Sequence, residues 1–263
     1  MIVVKFGGHA MKDENGGFAK AIAAAQESGV KLVVVHGGGP QIDAALKEEE
    51  IASEFIGGFR VTTPEIFEVV ERVLVNEVGP EVVNSLRRAG VNAVALSGRT
   101  SECLIAEPLR KLVDGSPVDL GLVGTITAVN PQAINSALKG GQVPVISPIA
   151  TDENFKGGLN VNADLAAAAI AGALNAESLI IMTDVAGIYR SWPDKTSLIV
   201  QISYADLDAL KSTFAEGMAP KVKACLDAID GGASAVRIID GTDPSAFAMA
   251  LGNSGRKSCG NFA

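Results

Sequence analysis

The sequence contains few of the side chains that bind metals or form disulfides. Its two histidines are His9 and His36, and its three cysteines (Cys103, Cys225 and Cys259) are odd in number and widely spaced. This pattern matches neither a disulfide framework nor a His/Cys metal site, and it is typical of a reducing compartment. We therefore predict no metal ion bound by protein side chains and no catalysis by a histidine-based triad.

Excess positive charge and long apolar segments are also missing. The formal net charge is −8, and no basic cluster is interleaved with aromatic residues, so we expect no nucleic-acid partner. The most apolar run, residues 166–174, is too short to span a bilayer, and no secretory signal follows Met1. We expect a cytoplasmic protein with no membrane partner, in which a local group of cations binds any anionic substrate.

Short apolar segments alternate with helical patterns along the whole chain. Of its 263 residues, 48% are hydrophobic and 29 are glycine, which is enough apolar material for one large core or two lobes sharing a sheet. The apolar runs predict strands over residues 2–6, 31–35, 92–96, 103–106, 144–147, 178–183 and 235–239. The alternation predicts an open, mostly parallel sheet covered by helices on both faces.

Helical spacing of apolar residues predicts the segments between these strands. The predicted helices cover residues 18–26, 42–49, 63–74, 82–89, 131–138, 164–174, 204–210, 221–229 and 244–251. We expect Gly79 and Pro80 to break the helix over 63–74, and the partly alternating segment 120–129 to form a hairpin strand. No linker or repeat divides the chain, so we predict one domain with an N-terminal and a C-terminal lobe, roughly residues 1–175 and 176–263.

The segment VVVHGGGPQI, residues 33–42, places three glycines between a predicted strand and a predicted helix. Glycines leave their backbone N–H groups unobstructed by side chains, and such groups next to the positive end of a helix dipole favour phosphate binding. A purely structural turn explains the same pattern equally well. Glycine or polar residues also follow other predicted strands, at Gly7, Ser97 and Asp184, and ligands bind beyond this edge of open α/β sheets. The pattern therefore indicates a rim at which a polyphosphate could lie.

Three familiar motifs are missing from the chain. It has no G-x-x-x-x-G-K-[ST], which excludes a P-loop kinase at the level of the motif, and no G-x-S-x-G hydrolase elbow. The triple glycine does not extend to G-x-G-x-x-G, because Ile42 stands at the sixth position. This mismatch weakens the case for a dinucleotide-binding fold without excluding it.

Two lysines stand in positions where a cation is unusual. Lys5 lies inside an apolar strand, so it either extends to water from an edge strand or points at a phosphate from the strand end. Lys221 opens a predicted helix, where its charge opposes the helix dipole. It is therefore either an exposed residue without a special role or a residue held there to bind an anion.

Asn160, Asn162 and Asp164 fall within five positions at a predicted helix start. N-capping needs only one of them, so the group favours a ligand-binding role, with ordinary capping as the alternative. Arg60 follows a pair of glycines and a phenylalanine, and it is either a surface arginine or a ligand for a carboxylate. The planar fork of its guanidinium suits bidentate binding of a carboxylate.

Six short segments occur in the order found in one known family. They are KFGG (residues 5–8), VVVHGGGPQI (33–42), GFRVT (58–62), VNADLAA (161–167), TDVAGIY (183–189) and GMAPKVKA (217–224). Together they strongly resemble the amino acid kinase family, and the match runs from residue 1 to about 245. HGGGPQI, GFRVT, NVNAD and DLGLVGTITAVN (119–130) are most similar to the members of this family that act on N-acetyl-L-glutamate.

This resemblance implies a three-layer αβα sandwich whose N-terminal lobe binds the acceptor and whose C-terminal lobe binds ATP. The implied reaction is phosphoryl transfer from MgATP to the side-chain carboxylate of N-acetyl-L-glutamate, giving an acyl phosphate in arginine biosynthesis. By position, Lys5 and Lys221 would stabilise charge on the transferring phosphoryl group, and Asp164 would orient both lysines. Mg²⁺ would be held mainly by the phosphates, since this ion keeps waters and takes few protein ligands.

Further contacts follow by position from the same resemblance. The positions that would bind the phosphoryl group and the substrate through backbone N–H groups are Gly8, Gly38 and Gly39. Those that would bind the substrate α-carboxylate are Arg60 and Asn160. The nucleotide would contact Asp184, Val185, Ala186, Gly187, Ile188, Tyr189, Thr213, Phe214 and Ala215.

The chain departs from the family at its C terminus, where LGNSGRKSCGNFA replaces the usual stretch containing Gly-Thr. This change affects the expected last strand or its edge and leaves the chemistry intact. Some members combine a long N-terminal extension with hexamers and arginine inhibition. Met1 here lies one residue before the first predicted strand, so we expect a homodimer without that inhibition.

Other functions fit parts of the same pattern. A related kinase of this fold could act on glutamate or an aminoadipate derivative, because Arg60 and Asn160 do not report the length of the acceptor. A nucleotide or amino-acid sensor would need no catalysis, and an NAD(P)-binding module would bind a dinucleotide in place of ATP. The presence of Lys5, Lys221 and Asp164 together favours the kinase.

Overall fold

The computed structural model describes residues 1–7, 11, 16–154, 157–191, 193–214 and 218–252. Its strands are, in chain order, β1 (Ile2–Phe6), β2 (Leu32–His36), β3 (Phe55–Ile56), β4 (Phe59–Arg60), β5 (Ala93–Ser97), β6 (Leu104–Pro108), β7 (Gly124–Val129), β8 (Val143–Ser147), β9 (Ile149–Asp152), β10 (Gly158–Asn160), β11 (Ser178–Thr183), β12 (Ile188–Tyr189), β13 (Leu198–Ile199) and β14 (Val236–Asp240). The α-helices are α1 (Gly17–Glu27), α2 (Gly39–Glu48), α3 (Pro64–Glu71), α4 (Gly79–Arg88), α5 (Gln132–Lys139), α6 (Ala163–Ala173), α7 (Tyr204–Leu210), α8 (Ala219–Asp230) and α9 (Pro244–Gly252).

The described residues form a central sheet of six strands in the order β14–β11–β1–β2–β8–β5. Every neighbouring pair in it is parallel, which confirms the predicted parallel sheet. From β1 the chain proceeds to β2 on one side, whereas β11 and β14 add to the other side. The order therefore reverses between β1 and β11, and ligands of open α/β sheets bind at such a point.

Helices cover both faces of this sheet, as the three-layer expectation requires. One face packs against α1 to α4 and α9, and the other against α5 to α8. Alternate residues of β1 take part in the two layers, with Ile2 and Val4 in the first and Val3 in the second. Lys5 has the parity of Val3 and so shares the face that carries α6 and α8.

A second sheet, in the order β10–β9–β6–β7, lies outside the central one. Its β6 and β7 pair antiparallel, which confirms the predicted hairpin-like pairing. Strand β7 begins at Gly124 and not at Leu120, because the preceding residues make only isolated bridges, at Gly121 and Val123. The short strands β9 and β10 escaped prediction, since an apolar run of two or three residues carries no periodicity.

The predicted break at Gly79 and Pro80 is wrong. A π-helical segment, Arg72–Val78, joins α3 to α4 directly, and the backbone N–H of Gly79 donates to the carbonyl of Leu74, five residues back. Pro80 lies in the first turn of α4, where the chain tolerates the missing N–H of proline.

No helix in the described parts of the chain is both long enough and apolar enough to cross a membrane. The unusual C-terminal segment lies outside the described residues from position 253 onward.

Candidate active site

Three charged side chains meet where β1, α6 and α8 converge. Lys5 Nζ lies 3.0 Å from Asp164 Oδ1, and Lys221 Nζ donates to Asp164 Oδ2 at 2.9 Å. Asp164 and Lys5 are buried, and the Lys221 side chain is 19% exposed. The structure thus brings together the three residues predicted to be catalytic, which are separated by 159 and 57 positions in the chain.

The location of Lys5 decides between its two interpretations. Strand β1 pairs with β2 on one side and β11 on the other, so the edge-strand interpretation is wrong. Its side chain extends along the strand over Gly7, and a Cβ at Gly7 would overlap the ammonium group. Lys5 Nζ also lies 3.5 Å from the carbonyl of Met182 on β11, so the ammonium lies at the reversal of strand order.

Asp164 and Lys221 are placed by the starts of two helices that pack together. Asn162 caps α6, because its side chain accepts from the backbone N–H groups of Asp164 and Leu165 at 2.9 and 3.2 Å. At the other ends of α6 and α8, a Cβ on Gly172 would lie 2.8 Å from the Cα of Gly231. The close approach that this pair of glycines permits sets the distance between the two helices.

The electrostatics of the cluster follow from burial and pairing. Burial alone would raise the pKa of Asp164, but the charges of Lys5 and Lys221 together hold it well below its usual range. The Asp164 carboxylate raises the pKa of Lys221 although burial opposes this, and Asp184 adds a smaller contribution of the same sign. Asp164 and Lys221 are therefore charged at neutral pH, and their ion pair explains a lysine at a helix N-terminus.

The glycine loop after β2 packs closely on the π-helical segment. A Cβ at Gly38 would lie 2.5 Å from Leu74 Cδ2, so glycine is needed for this contact. Helix α2 begins at Gly39, three residues earlier than predicted, and its N-terminus faces the loop. The loop therefore packs closely on Leu74 at Gly38, whereas a Cβ at Gly39 would meet no atom of the described residues within 4 Å.

His36 anchors this loop from beneath, and the sequence prediction missed that role. It is fully buried, and burial lowers its pKa to about 4. Its Nδ1 lies 2.7 Å from the carbonyl of Gly37 and its Nε2 lies 2.8 Å from Ser147 Oγ. Since a carbonyl only accepts, the neutral ring carries its proton on Nδ1, and its unprotonated Nε2 faces the Ser147 hydroxyl, whose oxygen also lies 3.1 Å from the carbonyl oxygen of Leu74. The sequence feature that could have indicated this role is a histidine at the end of an otherwise apolar strand.

A cavity of about 500 Å³ opens above these groups. The N-terminal residues of α2 and α6 line it, and α8 contributes Lys221 from its first turn. Besides the three charged residues, it is lined by five of the predicted ligand residues: Gly38, Gly39, Arg60, Asn160 and Asp184. Helix N-termini and cations in one concave site form a binding place for an anion.

Arg60 lines the cavity from the hairpin of β3 and β4. Its Nη2 lies 2.7 Å from Asp43 Oδ1, its Nη1 donates to Ser53 Oγ at 2.6 Å, and its Cζ lies 4.5 Å from the centre of the Phe55 ring. The guanidinium is buried, so Arg60 is no ordinary surface arginine. None of its three partners was predicted, because none belongs to a recognisable motif.

Asn160 lies at the end of β10, opposite Arg60. Its Nδ2 donates to Thr62 Oγ1 at 3.1 Å, and the Thr62 hydroxyl donates to the carbonyl of Arg60 at 2.8 Å. This chain of hydrogen bonds connects the two predicted carboxylate ligands. Thr62 is fully buried and was also missed by prediction.

Apart from Asp184, the predicted nucleotide contacts that the structure describes do not line this cavity. Ile188 and Tyr189 form β12, pair with β13 and are buried in the core, whereas Ala186 and Thr213 are exposed. The remaining described members of the set are Val185, Gly187 and Phe214. Gly8 and Ala215 lie outside the described residues.

An open parallel sheet whose reversal point carries two lysines, one shared carboxylate and converging helix N-termini is an architecture suited to a small-molecule kinase. The sequence model of the amino acid kinase family matches residues 1–240, and the chain belongs to this family. It is a kinase, and membership of this family implies that ATP is the phosphoryl donor.

Individual relatives agree with this assignment. The chain is 47% identical over 249 residues to the acetylglutamate kinase of Kineococcus radiotolerans, covering 92% of this chain and 83% of that protein. It is also 47% identical to the acetylglutamate kinase of Cutibacterium acnes, covering 91% and 80% of the two chains. The crystal structure of smu.665 from Streptococcus mutans UA159 matches with a TM-score of 0.77 and 29% identity over 91% of this chain and 94% of that chain.

Proposed function

We propose that the protein transfers the γ-phosphoryl group of MgATP to the side-chain carboxylate of N-acetyl-L-glutamate, giving N-acetyl-L-glutamyl 5-phosphate for arginine biosynthesis. The observation that carries the proposal is the cluster of Lys5, Asp164 and Lys221 in the cavity at the strand reversal. The choice of acceptor is supported by relatives at 47% identity that are acetylglutamate kinases.

The chemistry needs positioned positive charge and no general base. A carboxylate acceptor is already ionised at neutral pH, so no side chain has to remove a proton. A bond forms between the carboxylate oxygen and the γ-phosphorus while the bond to the β–γ bridging oxygen breaks, and ADP leaves with that electron pair. Two ammonium groups sharing one carboxylate leave the cluster with net positive charge, which stabilises the equatorial oxygens of the transferring group.

The acceptor would bind on the side of the N-terminal lobe. Arg60 would bind its α-carboxylate together with Asn160, whose side chain is linked through the Thr62 hydroxyl to the backbone carbonyl of Arg60. The backbone N–H groups of Gly8, Gly38 and Gly39 would bind the transferring group. Asp164 would keep both lysines in place without touching the substrate.

The nucleotide would bind on the side of the C-terminal lobe, beyond β11. Asp184 lines the cavity at this end, and the nucleotide would extend from it to the exposed members of the predicted set, Ala186 and Thr213. Mg²⁺ would be bound mainly by the phosphates, as this ion keeps most of its waters. The cavity suits a polyphosphate, because two lysines and the helix N-termini around it supply positive charge.

We also propose that the protein works as a homodimer in the cytoplasm. Within the described residues, β5 pairs on one side only, so its other edge offers backbone groups to a second copy. Cys103 and Cys225 are buried free thiols, which suits a reducing compartment. The mass in solution, measured by light scattering, tests the dimer.

A panel of acceptors with hydroxylamine trapping tests the reaction. The purified protein is incubated with MgATP, hydroxylamine and one of N-acetyl-L-glutamate, L-glutamate or N-acetyl-2-aminoadipate. We expect a hydroxamate and stoichiometric ADP with N-acetyl-L-glutamate. Hydroxamate formed better with another acceptor would reassign the substrate, and none with any acceptor would contradict the proposal. A Lys221→Met variant is the control for contaminating kinases.

A further inference from the structure

Asp43 is a residue that neither the sequence motifs nor the proposed reaction uses, yet it is paired with Arg60. Its Oδ1 lies 2.7 Å from Arg60 Nη2, and its own side chain is 58% exposed whereas that of Arg60 is 5% exposed. A buried guanidinium needs a nearby counter-charge. The first turns of α2 supply this charge from outside the cavity.

The guanidinium of Arg60 has two polar contacts in its plane and an aromatic ring over one face. Asp43 contacts Nη2, Ser53 Oγ accepts from Nη1 at 2.6 Å, and the Phe55 ring lies 4.5 Å from Cζ. Two in-plane contacts and one ring on the face define the orientation of a planar group. Of these contacts, those with Asp43 and Ser53 come from residues that do not line the cavity, while Arg60 does. The guanidinium carries more N–H donors than these contacts use, so donors remain for a ligand in the cavity.

We propose that Asp43 is a positioning residue for acceptor binding. It holds the Arg60 guanidinium in the orientation that presents its remaining N–H donors to the α-carboxylate of the acceptor. This inference rests on the proposed function, in which Arg60 binds that carboxylate. Asp43 itself touches no substrate, so its effect falls on the KM of the acceptor and not on kcat.

The competing possibility is that Asp43 occupies the place of the substrate carboxylate and must be displaced. The structure favours positioning, because Asp43 approaches Arg60 from outside the cavity. Its exposed carboxylate is solvated, so its repulsion of a second carboxylate across the guanidinium is screened. The two possibilities predict opposite changes in KM, and kinetics separates them.

Steady-state kinetics of Asp43→Ala and Asp43→Asn with two acceptors tests the inference. One acceptor is N-acetyl-L-glutamate, and the other is 4-acetamidobutyrate, which keeps the amide and the reacting carboxylate but lacks the α-carboxylate. For Asp43→Ala we expect the KM of N-acetyl-L-glutamate to rise about tenfold with kcat nearly unchanged. Asp43→Asn keeps an oxygen that accepts from Nη2, so it should restore part of the loss.

With 4-acetamidobutyrate we expect neither variant to change KM, or Ki where this compound only inhibits. Glu49→Ala is the matched control, since Glu49 follows the far end of α2 and pairs with the exposed Arg72. Its kinetic constants should equal those of the wild type.

Three results would overturn the inference. A lower KM in both Asp43 variants would mean that Asp43 competes with the substrate. Equal changes with both acceptors would mean a general disturbance of the hairpin, and an unchanged KM would mean no role at all. A wild type that is inactive with every acceptor of the hydroxamate panel would instead contradict the proposed function, which is thus tested separately.

Discussion

Lys5 and Arg60 are both buried cations that line the same cavity, but different parts of the fold hold them. Lys5 lies in a central strand and is paired with a buried carboxylate at a helix start. Arg60 lies in a two-residue strand of a small hairpin, and its partners Asp43 and Phe55 are exposed.

The two locations suit two different tasks, stabilisation of the transition state and recognition of the acceptor. Groups that stabilise a transition state must be held within a fraction of an ångström, which packing in a core provides. A group that recognises the acceptor can lie on a peripheral hairpin, where a ligand can enter and leave. We therefore expect substitutions in the cluster to affect turnover and stability together, and substitutions at the hairpin to affect acceptor binding alone.

Asp164→Asn should give the largest effect on stability. It leaves the buried ammonium of Lys5 and the partly buried ammonium of Lys221 without their shared carboxylate, and we expect a loss of about 3–5 kcal/mol in the free energy of unfolding. Because the pKa of Asp164 lies below its usual value, the wild type has this advantage above about pH 4 and loses it only as the pH falls further. Urea unfolding between pH 5 and 8 should show a constant difference, and a loss below about 1 kcal/mol would contradict the comparison.

Lys5→Met and Lys221→Met should reduce turnover by about 10²–10³-fold, as the loss of one group that stabilises transition-state charge does. Methionine keeps much of the lysine volume, so circular dichroism should show a folded protein. Lys223→Met is the control, because Lys223 lies on the same helix but pairs with the half-exposed Asp227. Turnover within tenfold of the wild type in either cluster variant would reject the catalytic assignment.

The pH dependence of stability should reveal the lowered pKa of His36, which lies beneath the glycine loop. With a pKa of about 4 when folded and about 6.5 when unfolded, its ring binds more protons in the unfolded state between these values. The folded wild type should therefore lose stability as the pH falls from about 6.5, by about 2 kcal/mol at pH 5. His36→Asn removes this term, so urea unfolding at pH 7 and pH 5 should show a smaller loss in the variant. Equal losses in both proteins would mean that folding does not lower the pKa of His36.

Arg60→Lys should give the smallest effect of the four. A lysine keeps the charge but cannot bond Asp43, Ser53 and a carboxylate with one planar fork, so we expect the acceptor KM to rise about tenfold. The free energy of unfolding should change much less than in Asp164→Asn. A loss of stability as large as that of Asp164→Asn would contradict the distinction between the two sites, because it would show that the hairpin contributes to stability as much as the buried cluster does.

Local patterns were sufficient for the elements of the central sheet. Strands such as β2 and β11 are continuous apolar runs that only a sheet buried on both faces can accommodate. The pattern misled at Pro80, because a π-helical turn lets a long helix continue through a residue that ordinarily ends one. It gave no indication of β9 and β10, because their apolar runs are too short to show a periodicity.

The candidate site divides in the same way. The resemblance to a family named Lys5, Lys221 and Asp164, but nothing in their local surroundings says that the three side chains touch. His36 and Thr62 were missed because their roles consist of contacts with residues 111 and 98 positions away along the chain. Ser53 lies only 7 positions from Arg60, but no motif marks the pair.

The sequence by itself determined the parallel α/β class, the family and the residue types available for chemistry, since these depend on periodicity and on ordered motifs. Only the tertiary structure decided that two lysines share one carboxylate and that a guanidinium is held by an exposed aspartate. The physical reason is that such charges acquire their strength from burial and from distances of about 3 Å, and the packing of α6 on α8 and of a hairpin on α2 sets those distances.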